Sequence, residues 1–178
     1  MSTDTLRLAS EHLADLLEAI QRCAYFLHQS DSRLDWPLDG AWLTKHRKDV
    51  DIYESLAAIN ERFAKLQDTL AAAMRHSAML MGEADDGFLK VLAVFEKRGV
   101  ISSIPDWQRS RTIRNLAAHD YQTEYAQIAQ HFNALHELCP GLYTTAHKLL
   151  ALCQETLDIG PATADFQAEF ESVANQTR

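Results

Sequence analysis

Glycine and proline are scarce in this chain, six and four among 178 residues. Five valines and eight isoleucines stand against 25 alanines and 23 leucines. So few turn formers and β-branched residues exclude an all-β or doubly wound fold and favour helices. No run of about 18 apolar residues occurs, which argues against a membrane span. The start, Met1-Ser2-Thr3-Asp4, lacks the basic and apolar segments of a signal peptide, so a cytoplasmic location is expected. The three cysteines, Cys23, Cys139 and Cys153, have no metal-ligand spacing and read as free thiols in a reducing compartment. Basic residues are outnumbered, leaving a net charge of −8, so any contact with nucleic acid must come from a local patch. What is present is 47% hydrophobic residues in a length suited to one domain.

Periodicity predicts the helices. Leu6, Ala9, Leu13, Leu16, Leu17, Ile20, Ala24 and Leu27 recur at three-four spacing, which lays an apolar stripe along a helix from about Thr5 to Ser30. The segment 31–49 contains Trp36-Pro37 and Asp39-Gly40 and reads as a long loop with at most a helical turn. Its basic run, Lys45-His46-Arg47-Lys48, reads as a solvated surface. A second long helix is expected from Val50 to Met81, closed by Gly82, with polar Asn60 and Gln67 on its apolar stripe. Those two amides are either satisfied core groups or the lining of a wet cleft. A shorter helix is expected to start at Asp85 or Asp86 and end at Arg98-Gly99.

Ser103-Ile104-Pro105-Asp106 marks the next helix start, with a capping serine, an early proline and an acid at the positive end of the dipole. Further helices are expected over 123–138 and 142–157, divided by Cys139-Pro140-Gly141. Residues 1–160 thus form an all-α, up-and-down antiparallel bundle. Residues 161–178 form a tail that either docks as a short helix or frays.

One segment departs from the acidic background. From Trp107 to His119 there are three arginines, Arg109, Arg111 and Arg114, and no acid. At about 100° per residue, Asn115 and His119 share a helix face, whereas Arg114 and His119 lie about 140° apart. They can address one phosphate through the reach of arginine, or with a second protomer supplying the missing group. A neutral imidazole can take a proton from a ribose 2′-hydroxyl. A guanidinium can stabilise the charge that builds on the phosphate. Those two groups suffice for RNA cleavage by internal attack with no metal ion and no cofactor. The alternative reading is an arginine paired with Asp120 or another acid and a histidine satisfied in the bundle.

The set Arg114-x-x-x-x-His119-x-Tyr121 resembles the Arg-x4-His-x-Tyr signature of the HEPN superfamily. It is similar in particular to the HepT-type toxins encoded beside a minimal nucleotidyltransferase antitoxin. Arg62-Phe63-Ala64-Lys65-Leu66-Gln67-Asp68 resembles that family's Arg-Phe-x-x-Leu-Gln-Asp stretch. Phe88-Leu89 through Glu96-Lys97-Arg98-Gly99 and the tryptophan at 107 are similar to the segment ahead of its motif. The resemblance spans roughly Leu6 to Leu152. It implies a homodimeric bundle whose two motifs face one cleft, with Arg114 and His119 as the ribonuclease pair and Asn115 orienting the site. Asp120, Gln67 and Asp68 would support it, and Arg109 and Arg111 would bind RNA, with tRNA a candidate target. Tyr121 would accept AMP from the cognate antitoxin, an anion that blocks the cleft by bulk and charge. A non-catalytic helical subunit that docks a nucleotidyltransferase would use the same residues differently.

Overall fold

The computed structural model describes residues 3–83, 87–116 and 124–176. Among them are seven helices: α1 (Thr3–Asp31), α2 (Gly40–Lys45), α3 (Val50–Leu80), α4 (Phe88–Lys97), α5 (Ile104–Leu116), α6 (Tyr125–Leu157) and α7 (Gln167–Gln176). No strand occurs among the described residues, and none of their helices is long and apolar enough to cross a membrane.

The α1 stripe is buried from Leu13 through Leu17, Ile20, Ala24 and Leu27, while Leu6 and Leu8 at its start stand exposed. It faces Leu56, Ile59, Phe63, Leu66, Leu70 and Met74 of α3. Each fully buried side chain of this size contributes about 1.5–3 kcal/mol, so this seam supplies much of the folding free energy. Arg62 donates to the Ser30 hydroxyl at one end and His76 packs edge-on against His12 at the other, so α1 and α3 are antiparallel. The partners Tyr53–Tyr125, Ser77–Cys153 and Met81–Thr156 run in step, so α3 and α6 are parallel, with α4 and α5 intervening in sequence.

Two boundaries depart from the sequence expectation. The α4 helix starts at Phe88, behind an N-cap Gly87 with φ 99°, a conformation only glycine adopts readily; Asp85 and Asp86, where its start is expected, lie outside the described residues. The proline at 140 does not divide two helices. It sits exposed inside one 33-residue helix. Pro140 cannot donate to the carbonyl four residues back and costs about 3 kcal/mol in a helix interior. The stripe Leu135, Cys139, Leu142 and Ala146 crosses that point fully buried, and its burial outweighs the proline. Of the two outcomes expected for the tail, docking is the one found: Phe170 and Val173 of α7 join the common core, and Phe166 lies against Tyr25, Phe26 and the Arg22 guanidinium of α1.

The segment between α1 and α3 is a clasp on α6. Trp36 stacks on His136 at 4.4 Å with 13° between planes, and its indole N–H donates to the Asp31 carbonyl. His136 Nδ1 lies 2.9 Å from both Asp31 carboxylate oxygens. Leu38 N–H donates to Asn133 Oδ1 at 2.7 Å, and Asn133 Nδ2 returns a bond to the Leu38 carbonyl at 2.9 Å. Gly40 lies against the Ala126 backbone so closely that a Cβ there would stand 2.7 Å from Ala126 Cα. Lys45, Arg47 and Lys48 are exposed beyond it, as expected for a solvated run.

Candidate functional site

The start of α5 is fixed as the sequence predicts. Ser103 Oγ accepts from the Asp106 amide at 3.1 Å, while the Ser102 and Ser103 hydroxyls donate to the Asp106 carboxylate. Those bonds, with Arg109 nearby, hold the Asp106 carboxyl below its ordinary value. Glu96 of α4 accepts from the Ile104 amide at 2.9 Å and ties the two helices. With this register, Trp107 and Ser110 point inward and Arg109 and Arg111 outward.

Ser110 meets the Leu-Gln-Asp stretch of α3. Gln67, 2% exposed, donates from Nε2 to the Ser110 hydroxyl at 3.1 Å. Its Oε1 is buried with no hydrogen-bond partner among the described residues. One turn further along α5, Arg114 reaches the same stretch. Its Nη1 donates to Asp68 Oδ1 at 2.5 Å, and Nε and Nη2 both donate to Asn115 Oδ1 at 3.1 Å. The arginine side chain is 13% exposed and Asp68 66%. The guanidinium is therefore held in one orientation from two sides, and two of its five N–H groups remain outside these bonds.

Beside this pair lies a cleft of about 260 Å³ between α3, α4 and α5. Gln67, Ala71 and Trp107 form its inner wall, and Asp68, Arg75, Phe88 and Arg111 its rim. The Arg75 Cζ sits 4.4 Å over the Phe88 ring. Arg109 is not here. It lines a separate cleft of about 210 Å³ with Asp106 and Glu137, because 109 and 111 are about 200° apart around the helix. Grooves of about 460 and 570 Å³ lie along α6 and include no α5 residue.

The structure thus brings Gln67, Asp68, Arg111, Arg114 and Asn115 together and separates Arg109 from them. Among the described residues, the ion pair of Asp68 is with Arg114, which reaches it from α5. His119, Asp120 and Tyr121 lie outside the described residues. Arg75 and Phe88 join the cleft without having been singled out for it. The signal for Arg75 is its place seven residues after Asp68, two turns along the same face of α3.

Thiol chemistry has no support in the fold. Cys139 and Cys153 are buried, and burial pushes the Cys153 thiol up to about 11 and the Cys139 thiol higher still. Burial also raises the half-buried Cys23 thiol. Among the described residues no three histidine, cysteine or acidic side chains converge as a metal cage. No protein-family model, curated protein or solved structure matches the chain.

Proposed function

We propose that this chain is a HEPN-type toxin, an endoribonuclease that cleaves RNA by internal attack at a site built from Arg114 and His119. The observation that carries this reading is the arginine. Arg114 occupies the first position of the Arg-x4-His-x-Tyr set and is oriented by Asp68 and Asn115 with N–H groups to spare. In the reaction His119 takes the 2′-hydroxyl proton, O2′ attacks the adjacent phosphorus, and the bond to O5′ breaks as O5′ takes up a proton from an imidazolium or from water. Arg114 stabilises the extra charge on the phosphorus oxygens. The products carry a 2′,3′-cyclic phosphate and a 5′-hydroxyl. A homodimer that faces two motifs across one cleft removes the 140° separation between Arg114 and His119. A partner nucleotidyltransferase would silence the site by joining the Tyr121 oxygen to the α-phosphorus of ATP, with release of pyrophosphate.

The test is RNA cleavage by the purified chain. His119→Ala and Arg114→Ala should each lower the rate by about 10²–10⁴-fold with the helical signal unchanged. Cleavage that persists in both variants overturns the assignment. The close Asp68 pair favours one second reading, a guanidinium that only positions a docked nucleotidyltransferase. A chain that binds such a partner and never cleaves RNA would establish it.

A further inference from the structure

The cleft beside Arg114 has chemistry that the cleavage reaction leaves unused. Two arginines, Arg75 and Arg111, line it with one acid, Asp68, whose carboxylate already accepts from Arg114 beside the cleft. In a chain of net charge −8 this is a cationic pocket on an acidic molecule. Its rim also carries a preset flat cation, because Arg75 is exposed yet held 4.4 Å over the Phe88 ring. Guanidinium planes and aromatic rings are the surfaces on which unpaired bases stack. The inner wall is apolar at Ala71 and Trp107 and polar at Gln67. A volume of about 260 Å³ falls just under the range of pockets for drug-sized ligands, which suits one planar base with its phosphate at the rim.

We propose that this cleft holds one unpaired nucleotide of single-stranded RNA, its base stacked on Arg75 and its phosphate gripped by Arg111. The proposal rests on the ribonuclease reading for its biological sense, but it concerns binding and not cleavage. The recognised unit is a base with an adjacent phosphate, which a free mononucleotide also offers. RNA is favoured because the pocket opens beside Arg114, the group assigned to the scissile phosphate, so that a strand held here is aligned with the reaction. Arg111 follows Arg114 by one turn toward the N-terminus of α5, and Arg75 follows Asp68 by two turns along α3. The two grips therefore extend along the bundle from the Arg114–Asp68 pair and form a short track rather than a point.

The experiment uses the full chain with His119→Ala, which prevents cleavage, and a short labelled single-stranded oligoribonucleotide followed by fluorescence anisotropy. Arg75→Ala should weaken binding roughly 5- to 100-fold, the loss typical of one stacked base. Arg75→Lys should lose nearly as much, since it keeps the charge and removes the plane. Arg111→Ala should weaken binding and reduce the salt slope by about one, as for a single phosphate contact. Arg47→Ala, in the exposed run after α2, should change nothing beyond twofold.

Unchanged affinity in both Arg75→Ala and Arg111→Ala overturns the proposal. So does an equal loss in Arg47→Ala, which would mark diffuse charge attraction. AMP serves as the second probe: binding of AMP that both variants abolish, without any binding of the oligoribonucleotide, overturns the RNA assignment in favour of a free nucleotide. Failure of the ribonuclease reading is separately visible, because a wild-type chain that never cleaves RNA can still show the Arg75 and Arg111 losses.

Discussion

Two flanks of the bundle use their polar groups in opposite ways. At the clasp, Asn133 and the Leu38 backbone exchange two hydrogen bonds, His136 sits on both Asp31 oxygens, and Trp36 covers the imidazole. The groups that meet there mostly bond one another. At α5, Arg114 keeps N–H groups outside its bonds to Asp68 and Asn115, Gln67 Oε1 is buried without a partner among the described residues, and Arg75 and Arg111 reach solvent. The first flank spends its polar groups on holding the chain together, and the second keeps some in reserve. Spare hydrogen-bonding capacity at a rigid position, more than polarity itself, is what distinguishes a candidate site from a structural network.

That contrast can be broken most forcefully at Gly40. Valine there must push a Cβ and two methyls into the Ala126 backbone, so the Gly40→Val variant should lose about 3 kcal/mol. Its thermal midpoint should fall by roughly 5–10 °C. Arg111→Ala, on the opposite flank, should stay within about 0.5 kcal/mol of the wild type. Equal melting temperatures for Gly40→Val and wild type would mean that the clasp is not packed as described.

A smaller effect sharpens the reading of the α3–α5 contact. Gln67→Met leaves the Ser110 hydroxyl buried without its donor and should cost about 1–2 kcal/mol by urea denaturation. Adding Ser110→Ala should recover a good part of that loss, since both polar partners are then gone. A double variant as unstable as the sum of the single ones would show that the two side chains do not depend on each other.

The smallest effect is a pH dependence at Asp31. Burial holds this carboxyl above its ordinary value, more than the hydrogen bond and charge of His136 pull it down. The folded state therefore binds that proton more tightly than the unfolded chain, and the group's contribution to stability is full below the ordinary value of 3.8. It is lost as pH rises through the raised folded value. The stability of the wild type relative to Asp31→Asn should accordingly improve as pH falls from neutrality toward about 4. A gap that narrows or stays constant over that range would contradict the burial of Asp31.

The sequence made α1 and α3 legible because their apolar positions recur with one period over about six turns or more, and it made the α5 start legible because Ser103, Pro105 and Asp106 each act locally. Local signals failed where distant packing decided the outcome. Pro140 is a helix breaker by itself, and only the buried stripe on both sides of it explains the unbroken α6. The clasp reads as a long loop in the sequence because its bonds join residues about a hundred positions apart, such as Leu38 with Asn133 and Asp31 with His136. At the candidate site, the polar pair Gln67–Asp68 was visible as an exception on an apolar stripe. Its partners were not, since the contacts with Ser110 and Arg114 depend on how α5 crosses α3. Arg109 was grouped with Arg111 by composition, and helical geometry separates them.

The near-contact of Gly40 with Ala126 has a consequence for kinship. A backbone that closes on a glycine leaves no room for a side chain there, whereas exposed arginines can come and go with little cost to folding. Descendants of the same ancestor should therefore keep glycine at position 40, whose neighbour Ala126 lies 86 positions away in this chain, even after the α5 arginines have drifted. A glycine where the first loop meets the start of the longest described helix is a more durable mark of common descent than the short charged motif.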